Sequence, residues 1–215
     1  MTIYAEVREI LWRNARIQIN TGKTRIWNSG QHRPDDIDSL GPWVWRSDPL
    51  LPTEDQGLII LGTPLGHEDF IRGYLRSKYE IQQTLLHRTP TIPDLQSAWL
   101  LLLFCASTRA TYVMRMIAPE LADDYARDHD AAIWQCLCIL LATNPAGIDA
   151  PWMMAGSLSL SNGGLGLRSA RRGAPASFWA SWADCLPQTV SRSIGRMLVH
   201  SSKSSCVQIR TKKRM

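Results

Sequence analysis

The residues most capable of chemistry in this sequence are a glycine–lysine–threonine triplet, two pairs of aspartates, and a histidine that precedes two cysteines. Gly22, Lys23 and Thr24 match the end of a nucleotide-binding P-loop, in which backbone amides and a lysine hold phosphates. The full motif needs a glycine five residues before Gly22, and Ile17 stands there. A hairpin turn with a solvated lysine is therefore the favoured interpretation.

Two pairs of neighbouring carboxylates are of the kind that can hold magnesium. Asp123 and Asp124 fall in the first turns of a helix predicted to open at Pro119, where acids complement the helix dipole. Asp35 and Asp36 lie in a proline-rich loop. Since neither pair stands at a strand turn, the sequence predicts no metal site and no catalytic residue.

A zinc site is the alternative to weigh for His129, Cys136 and Cys138. On a helix, positions seven residues apart share a face, so Cys136 lies below His129 whereas Cys138 points away. With no second Cys/His pair nearby, we interpret both thiols, and that of Cys105, as reduced core residues of an intracellular protein.

Composition and charge narrow the class of protein. The chain has 215 residues, 45% of them hydrophobic, which suits one large or two small folded domains. Its net charge of +5 equals the five basic residues of segment 201–215, which contains no acid. The body is therefore neutral, and we expect residues 201–215 to form a disordered basic tail.

No segment predicts a membrane span or an export signal. The longest apolar run, Ala98–Ala106, is nine residues long, whereas a spanning helix needs about 20. The first nine residues carry charges where a signal peptide is apolar. We therefore expect an intracellular protein, nuclear or cytoplasmic, with no membrane partner.

The elements that must position these residues divide at about residue 66. Before it, apolar spacing predicts a helix, several short strands and a Pro/Gly-rich insertion. These are a helix over Tyr4–Asn14, strands over Arg16–Asn20 and Thr24–Trp27, the insertion 28–56 with a strand at Trp43–Trp45, a buried strand Gly57–Gly62, and a turn at Thr63–Gly66.

Beyond residue 66 the pattern is helical throughout. We expect helices from about Glu68 to Arg88, from an N-cap at Asp94 to Met116, from Pro119 to Leu141, from Ala174 to Cys185 and from Gln188 to Val199, with a turn of positive φ at 162–166. The predicted fold class is α+β: a short helix–strand–strand unit followed by an all-α region.

Three segments, in order, resemble a known family. Asn20–Trp27 is similar to the "xxxNxxKT" palm strand of reverse transcriptases from non-LTR (LINE-like) retrotransposons. Leu61–Gly66 is similar to the "LGxPLG" primer-grip hairpin of that family, and Ser157–Arg168 to the "GGLGL" segment near its thumb. The resemblance implies that residues 1–66 are the end of a palm with its primer grip, and that residues 67–200 are a helical, thumb-like region.

The resemblance also implies roles for particular residues. Lys23 matches the motif lysine near the phosphates of the incoming nucleotide. The primer grip maps onto Leu61, Gly62, Leu65 and Gly66. Basic residues of the first thumb helix would follow a duplex through its phosphates, the alternative being a solvated helix face; these residues are Arg72, Arg76, Lys78 and Arg88.

The departure from the family limits what the resemblance implies. The Tyr/Phe-x-Asp-Asp hairpin, which supplies Mg²⁺ ligands in these polymerases, has no counterpart in this sequence. We therefore expect a part of a reverse transcriptase that is inactive alone, binds no cofactor, and meets an RNA–DNA or RNA template-primer and an upstream polymerase half. A helical protein–protein interaction module and a non-functional retroelement remnant that does not fold stably are the alternatives.

Overall fold

A computed structural model describes residues 3–35, 37–144 and 151–201. The fold is α+β, as predicted: it is mostly helical and carries one two-stranded antiparallel sheet. Its elements are α1 (Ile3–Ala15), β1 (Gly57–Ile60), β2 (Thr63–Gly66), α2 (Glu68–Arg88), α3 (Leu95–Leu101), α4 (Ala110–Met116), α5 (Pro119–Leu140), α6 (Pro151–Gly156) and α7 (Ala170–Ser201). The predicted basic tail from residue 202 onward lies outside the described residues.

The first helix ends where the sequence predicted a strand. Arg16 adopts a left-handed conformation with φ of 54°, and its N–H donates to the carbonyl of Trp12 at 3.1 Å, which closes α1. The predicted strand Arg16–Asn20 was wrong, because in the described chain no neighbouring strand pairs with it. Alternation of polar and apolar residues does not by itself provide a hydrogen-bonding partner.

The predicted strands Thr24–Trp27 and Trp43–Trp45 meet, but only through one parallel bridge. Ile26 donates to the carbonyl of Val44 at 2.7 Å and accepts from the N–H of Arg46 at 2.8 Å. The insertion that joins the two segments is not an open loop: Ile37, Val44 and Trp45 are buried in a small core of their own, against Ile26 and Leu40.

The sheet is a β-hairpin with a two-residue turn. β1 and β2 pair from Gly57↔Gly66 to Ile60↔Thr63, so Leu61 and Gly62 form the turn. The predicted turn at Thr63–Gly66 was therefore wrong, since those residues are β2. The strand predicted as buried was also wrong in part: Ile59 and Ile60, which point to opposite faces of the hairpin, are both more than half exposed.

Two long helices, α2 and α5, form the centre of the helical region. α5 opens with Pro119 in its first turn, as predicted, where a missing N–H costs nothing. α2, α4 and α7 pack against α5 around two apolar clusters, one near Leu75 and Tyr125, the other near Leu102 and Leu137. Together these clusters make the main core.

The helix predicted from Asp94 to Met116 is interrupted. Asp94 caps it as expected, accepting from the N–H of Ser97 at 2.8 Å. A π-helical turn at Leu102–Ala106 then separates α3 from α4. The hydroxyls of Ser107 and Thr108 donate back to carbonyls four residues earlier, at 2.6 and 2.8 Å, which favours a break in the helical ladder.

The same segment, Leu95–Met116, is long and apolar enough to cross a membrane by length and composition, with a mean hydropathy of 1.2. Ala98, Leu102, Ala106 and Ala110 within it are nevertheless buried against other helices. That burial is typical of a core helix and is compatible with a soluble protein.

The two short helices predicted near the C-terminus are one helix. α7 runs from Ala170 to Ser201 and includes Pro175 and Pro187. Proline removes one backbone N–H and bends a helix without having to end it, and the start of α7 is held in the core by Ala170 and Ala174.

Candidate functional site

The turn of the β-hairpin is held from two helices at once. The hydroxyl of Tyr74 on α2 donates to the carbonyl of Gly62 at 2.5 Å. The hydroxyl of Tyr112 on α4 donates to the carbonyl of Leu61 at 2.6 Å. Both peptide carbonyls of the turn are thus satisfied by tyrosines from the helical region, which fixes the orientation of the turn.

A third hydroxyl joins this network. The Oγ1 of Thr63 lies 3.0 Å from the hydroxyl oxygen of Tyr112. Since Tyr112 has one proton and gives it to the carbonyl of Leu61, Thr63 must donate to Tyr112. The first residue of β2 therefore orients the tyrosine that holds the turn.

Backbone geometry explains two glycines of the segment without any ligand. Gly62 has φ of +83°, a conformation that glycine adopts without strain. A Cβ on Gly66 would overlap the backbone of Gln56 and Gly57. These glycines are thus needed to build the hairpin itself.

Leu61 is the unusual residue of the turn. It has φ of 50°, which is uncommon for a bulky side chain, and it is 93% exposed. Asn or Gly would close the same turn with less strain. Strained residues cluster at binding and active sites, which makes Leu61 a candidate contact residue.

A cation lies against one of the two tyrosines that hold the turn. The Nζ of Lys78 stands 5.0 Å from the ring centre of Tyr74, within cation–π range. We call Leu61, Gly62, Tyr74, Lys78 and Tyr112 the hairpin site: a rigid turn with an exposed apolar tip, the two tyrosines that hold it, and a lysine against one of them.

Comparison with known proteins provides no further support for this site. No protein-family model, curated protein or solved structure matches the chain. Function is therefore inferred from the residues and their arrangement.

The four basic residues predicted to follow a duplex do not share one face of α2. Arg72 and Arg76 line a cleft of about 340 Å³ between α2 and α5. At about 100° per residue, Lys78 lies roughly 160° around the helix from Arg76, and Arg88 roughly 120°. The structure thus brings Lys78 to the hairpin site and leaves Arg88 at the far end of the helix.

The cleft that holds Arg72 and Arg76 also contains carboxylates. Arg72 lies 3.4 Å from Asp124 on α5, and Asp128 lines the same cleft. A phosphate approaching these two arginines would meet both carboxylates. The cleft is therefore poorly suited to a polyanion.

Lys23 lies apart from the hairpin site. It ends a 3₁₀ turn at Thr21–Lys23, and its N–H donates to the carbonyl of Asn20 at 3.1 Å. The side chain is exposed. In the part of the chain that the structure describes, no hydrogen bond or ion pair links Lys23 to the hairpin. Of the primer-grip-like residues, Leu61, Gly62, Leu65 and Gly66 all lie in the hairpin, and Leu65 is partly exposed.

His129 and the two cysteines of α5 are core residues. Nδ1 of His129 lies 2.8 Å from Oε1 of Gln82 on α2, and burial lowers the pKa of His129. Burial raises the pKa of Cys136 to about 11, whereas Cys105, expected in the core, is exposed. No group of three His, Cys, Asp or Glu side chains that could hold a metal ion occurs among the described residues.

The "GGLGL" segment forms a closed turn against the residues that precede it. Gly163 and Gly166 have φ of 77° and 71°, as predicted for this turn. The N–H of Gly166 donates to the carbonyl of Leu158 at 2.9 Å, and a Cβ on Gly164 would overlap that residue. The turn places Leu167 in the core and leads directly to Arg168, which precedes α7.

Sequence reasoning missed the two tyrosines of the hairpin site. Tyr74 and Tyr112 recur at helical spacing among apolar residues, a pattern that indicates packing in a core and does not indicate a hydrogen-bonding role. Only the position of the hairpin relative to the helices reveals that their hydroxyls face its carbonyls.

Proposed function

We propose that this chain is the C-terminal part of a reverse-transcriptase-like polymerase, and that its hairpin site contacts the primer strand of a bound primer–template. The observation that carries the proposal is the geometry of Leu61–Gly66. This segment, which resembles a primer grip, forms a tight hairpin whose tip is exposed and whose backbone is fixed by Tyr74 and Tyr112.

The chemistry of the hairpin site suits a nucleic-acid strand. The side chain of Leu61 offers an apolar contact for a sugar or the face of a base, and Lys78 offers a positive charge for a phosphate. Because the turn carbonyls are already hydrogen-bonded, the tip would keep its shape when a strand binds.

Catalysis would have to come from elsewhere. In the family that the sequence resembles, Mg²⁺ is held by carboxylates of a hairpin that this sequence lacks. We propose that an upstream polymerase half supplies them, and that it covers α1, whose Val7, Ile10 and Trp12 are partly or half exposed. Nucleotide incorporation by this chain alone would contradict this part of the proposal.

The experiment is fluorescence anisotropy with a labelled RNA–DNA primer–template at several salt concentrations. We expect binding that weakens as salt rises, because each neutralised phosphate releases counterions. Leu61→Asn should reduce affinity roughly tenfold through the lost apolar contact. It should also raise stability, since Asn accepts a positive φ more readily than leucine. Lower affinity in a more stable protein excludes unfolding as the cause.

Leu50→Asn is the matched control, because Leu50 is also 93% exposed but lies in the insertion. It should leave affinity unchanged. Lys78→Gln should lower the salt slope by about one, and Lys78→Arg should restore it. Equal affinity of the Leu61 and Leu50 variants would refute the role of the hairpin.

A helical protein–protein interaction module is the second candidate. It is favoured by the exposed aromatic residues Trp179 and Trp182 on α7, which pack around Phe178 and leave much of their surface in solvent. Absence of any salt-dependent binding to the primer–template would favour this candidate over the first.

A further inference from the structure

A second cavity of about 320 Å³ lies between α5, α6 and the start of α7, a volume at the lower end of the range for small-ligand sites. Its rim is basic and its floor apolar. The rim carries Arg127, Arg168, Arg171 and Arg172, and the floor carries Ile133, Trp134, Met153 and Leu167.

The four arginines differ in how far they are neutralised. Arg127 lies 2.7 Å from Asp124, and Arg171 lies 3.0 Å from Asp123. Arg168 has no ion pair or hydrogen bond among the described residues, and Arg172 reaches only a hydroxyl, that of Ser157, at 3.1 Å. Two guanidinium groups at this rim are therefore free to bind an anion.

The carboxylate that lines this cavity, Asp130, keeps its negative charge, but the two arginines without an ion pair in the described chain outnumber it. Asp130 on α5 accepts from the hydroxyl of Ser169 at 2.6 Å and from the N–H groups of Ala170 and Arg171 at 2.7 and 3.1 Å. It thereby caps α7 and uses the amides at that helix end. An anion in the cavity would be bound by arginine side chains and not by the helix end.

Arg168 and Arg172 lie next to α4, the helix that carries Tyr112 of the hairpin site. Arg168 and Arg172 also line an adjoining cavity of about 350 Å³, together with Thr111 on α4. Thr111 is the neighbour of Tyr112, which holds the hairpin turn. Successive residues lie about 100° apart around a helix, so a strand that leaves the hairpin site and passes about a quarter turn around α4 would reach Arg168 and Arg172.

We propose that Arg168 and Arg172 bind a backbone phosphate of the nucleic-acid strand that the hairpin site contacts. The inference rests on the proposed function, and it places the main phosphate contact at the start of α7 and not on α2. Guanidinium groups suit this role because their planar donors match phosphate oxygens in pairs. The apolar floor would take the adjoining sugar.

The test is the salt dependence of primer–template binding by Arg168→Gln, Arg172→Gln and the double variant. The double change should lower the slope of log K against log salt by about 0.9, the value for one phosphate contact, and each single change should lower it by less. Arg115→Gln, an exposed arginine on α4 outside the cavity, is the matched control and should leave the slope unchanged. Because Arg168 has no partner in the described chain, its variant should melt at the wild-type temperature.

A phosphate ester can also come from a free nucleotide, so the assay includes competition by a nucleoside monophosphate and by inorganic phosphate. We expect neither to displace the primer–template at millimolar concentration. Displacement that Arg168→Gln abolishes would show a small-molecule site and overturn the inference.

Different results would refute the arginine contact and the hairpin contact. If the double variant binds like wild type while Leu61→Asn weakens binding, the arginine contact is refuted and the hairpin contact stands. If both Leu61 and Leu50 variants bind like wild type while the double variant is weakened, the arginine contact stands and the hairpin contact is refuted. A wild-type chain that does not bind the primer–template refutes both.

Discussion

Removal of the Asp130 carboxylate should destabilise the fold by about 3 kcal/mol. The carboxylate accepts three hydrogen bonds at the start of α7, from the hydroxyl of Ser169 and the N–H groups of Ala170 and Arg171. Loss of an N-cap costs about 1 kcal/mol, and loss of a negative charge at a partly buried helix N-terminus about 1 kcal/mol more. The unpaired Ser169 hydroxyl adds about 1 kcal/mol.

The assay is urea unfolding of Asp130→Ala, followed by far-UV circular dichroism. Domains of this size are stable by roughly 5–15 kcal/mol, so a variant weakened by about 3 kcal/mol should still fold and give a measurable transition. Asp130→Asn retains the shape and one acceptor oxygen but loses the charge, and should lie between wild type and the alanine variant.

Asp128→Ala is the control on the same helix. Asp128 is exposed and makes only a 3.8 Å contact with Arg127, which contributes little in solvent. Its removal should change the unfolding free energy by less than about 0.5 kcal/mol. If Asp130→Ala is no more destabilised than Asp128→Ala, the conclusion that this carboxylate anchors α7 is wrong.

Three further predictions concern the hairpin and the core. Gly66→Ala should destabilise by about 1–3 kcal/mol because its Cβ overlaps backbone, whereas Gly73→Ala, in open space on α2, should stabilise by about 0.5–1 kcal/mol; urea unfolding measures both. Tyr112→Phe should cost about 1 kcal/mol and speed amide exchange of the hairpin, and unchanged exchange would count against the proposed hold on the turn. Burial lowers the folded-state pKa of His129, so below about pH 6.5 the unfolded state binds more protons than the folded state. The free energy of unfolding should therefore decrease as the pH is lowered below about 6.5, by at most about 1.4 kcal/mol per pH unit. His129→Gln should flatten that slope and His87→Gln, which changes an exposed histidine, should not.

Much of the helical region could be predicted because the signals that set it are local. Asp94 begins a helix through its own side chain, and Pro119 fits a first turn whatever surrounds it. The positive φ of Gly163 is likewise a property of the short segment that contains it. Such features need no knowledge of distant parts of the chain.

The failures at Arg16–Asn20, at Pro187 and at the hairpin site depend on partners that are distant in sequence. Whether Arg16–Asn20 becomes a strand depends on another strand beside it, and in the described chain none lies there. Continuation of α7 through Pro187 depends on how firmly the rest of the helix is held. The same is true of the hairpin site: the segment Leu61–Gly66 could be recognised, but the two tyrosines that orient it come from α2 and α4.

The location of usable positive charge is the clearest example of this limit. Three arginines and a lysine lie along α2, and the resemblance implies that they follow a duplex through its phosphates. Folding places Asp124 against Arg72 and Asp123 against Arg171, so that acids of α5 neutralise arginines on two neighbouring helices. In the same arrangement, Asp130 accepts a hydrogen bond from the N–H of Ala170 and caps α7. Which arginines remain unpaired is set by the packing of α5 between α2 and α7. This is why Arg168, which no spacing rule selects, becomes the residue on which the proposed nucleic-acid contact is best tested.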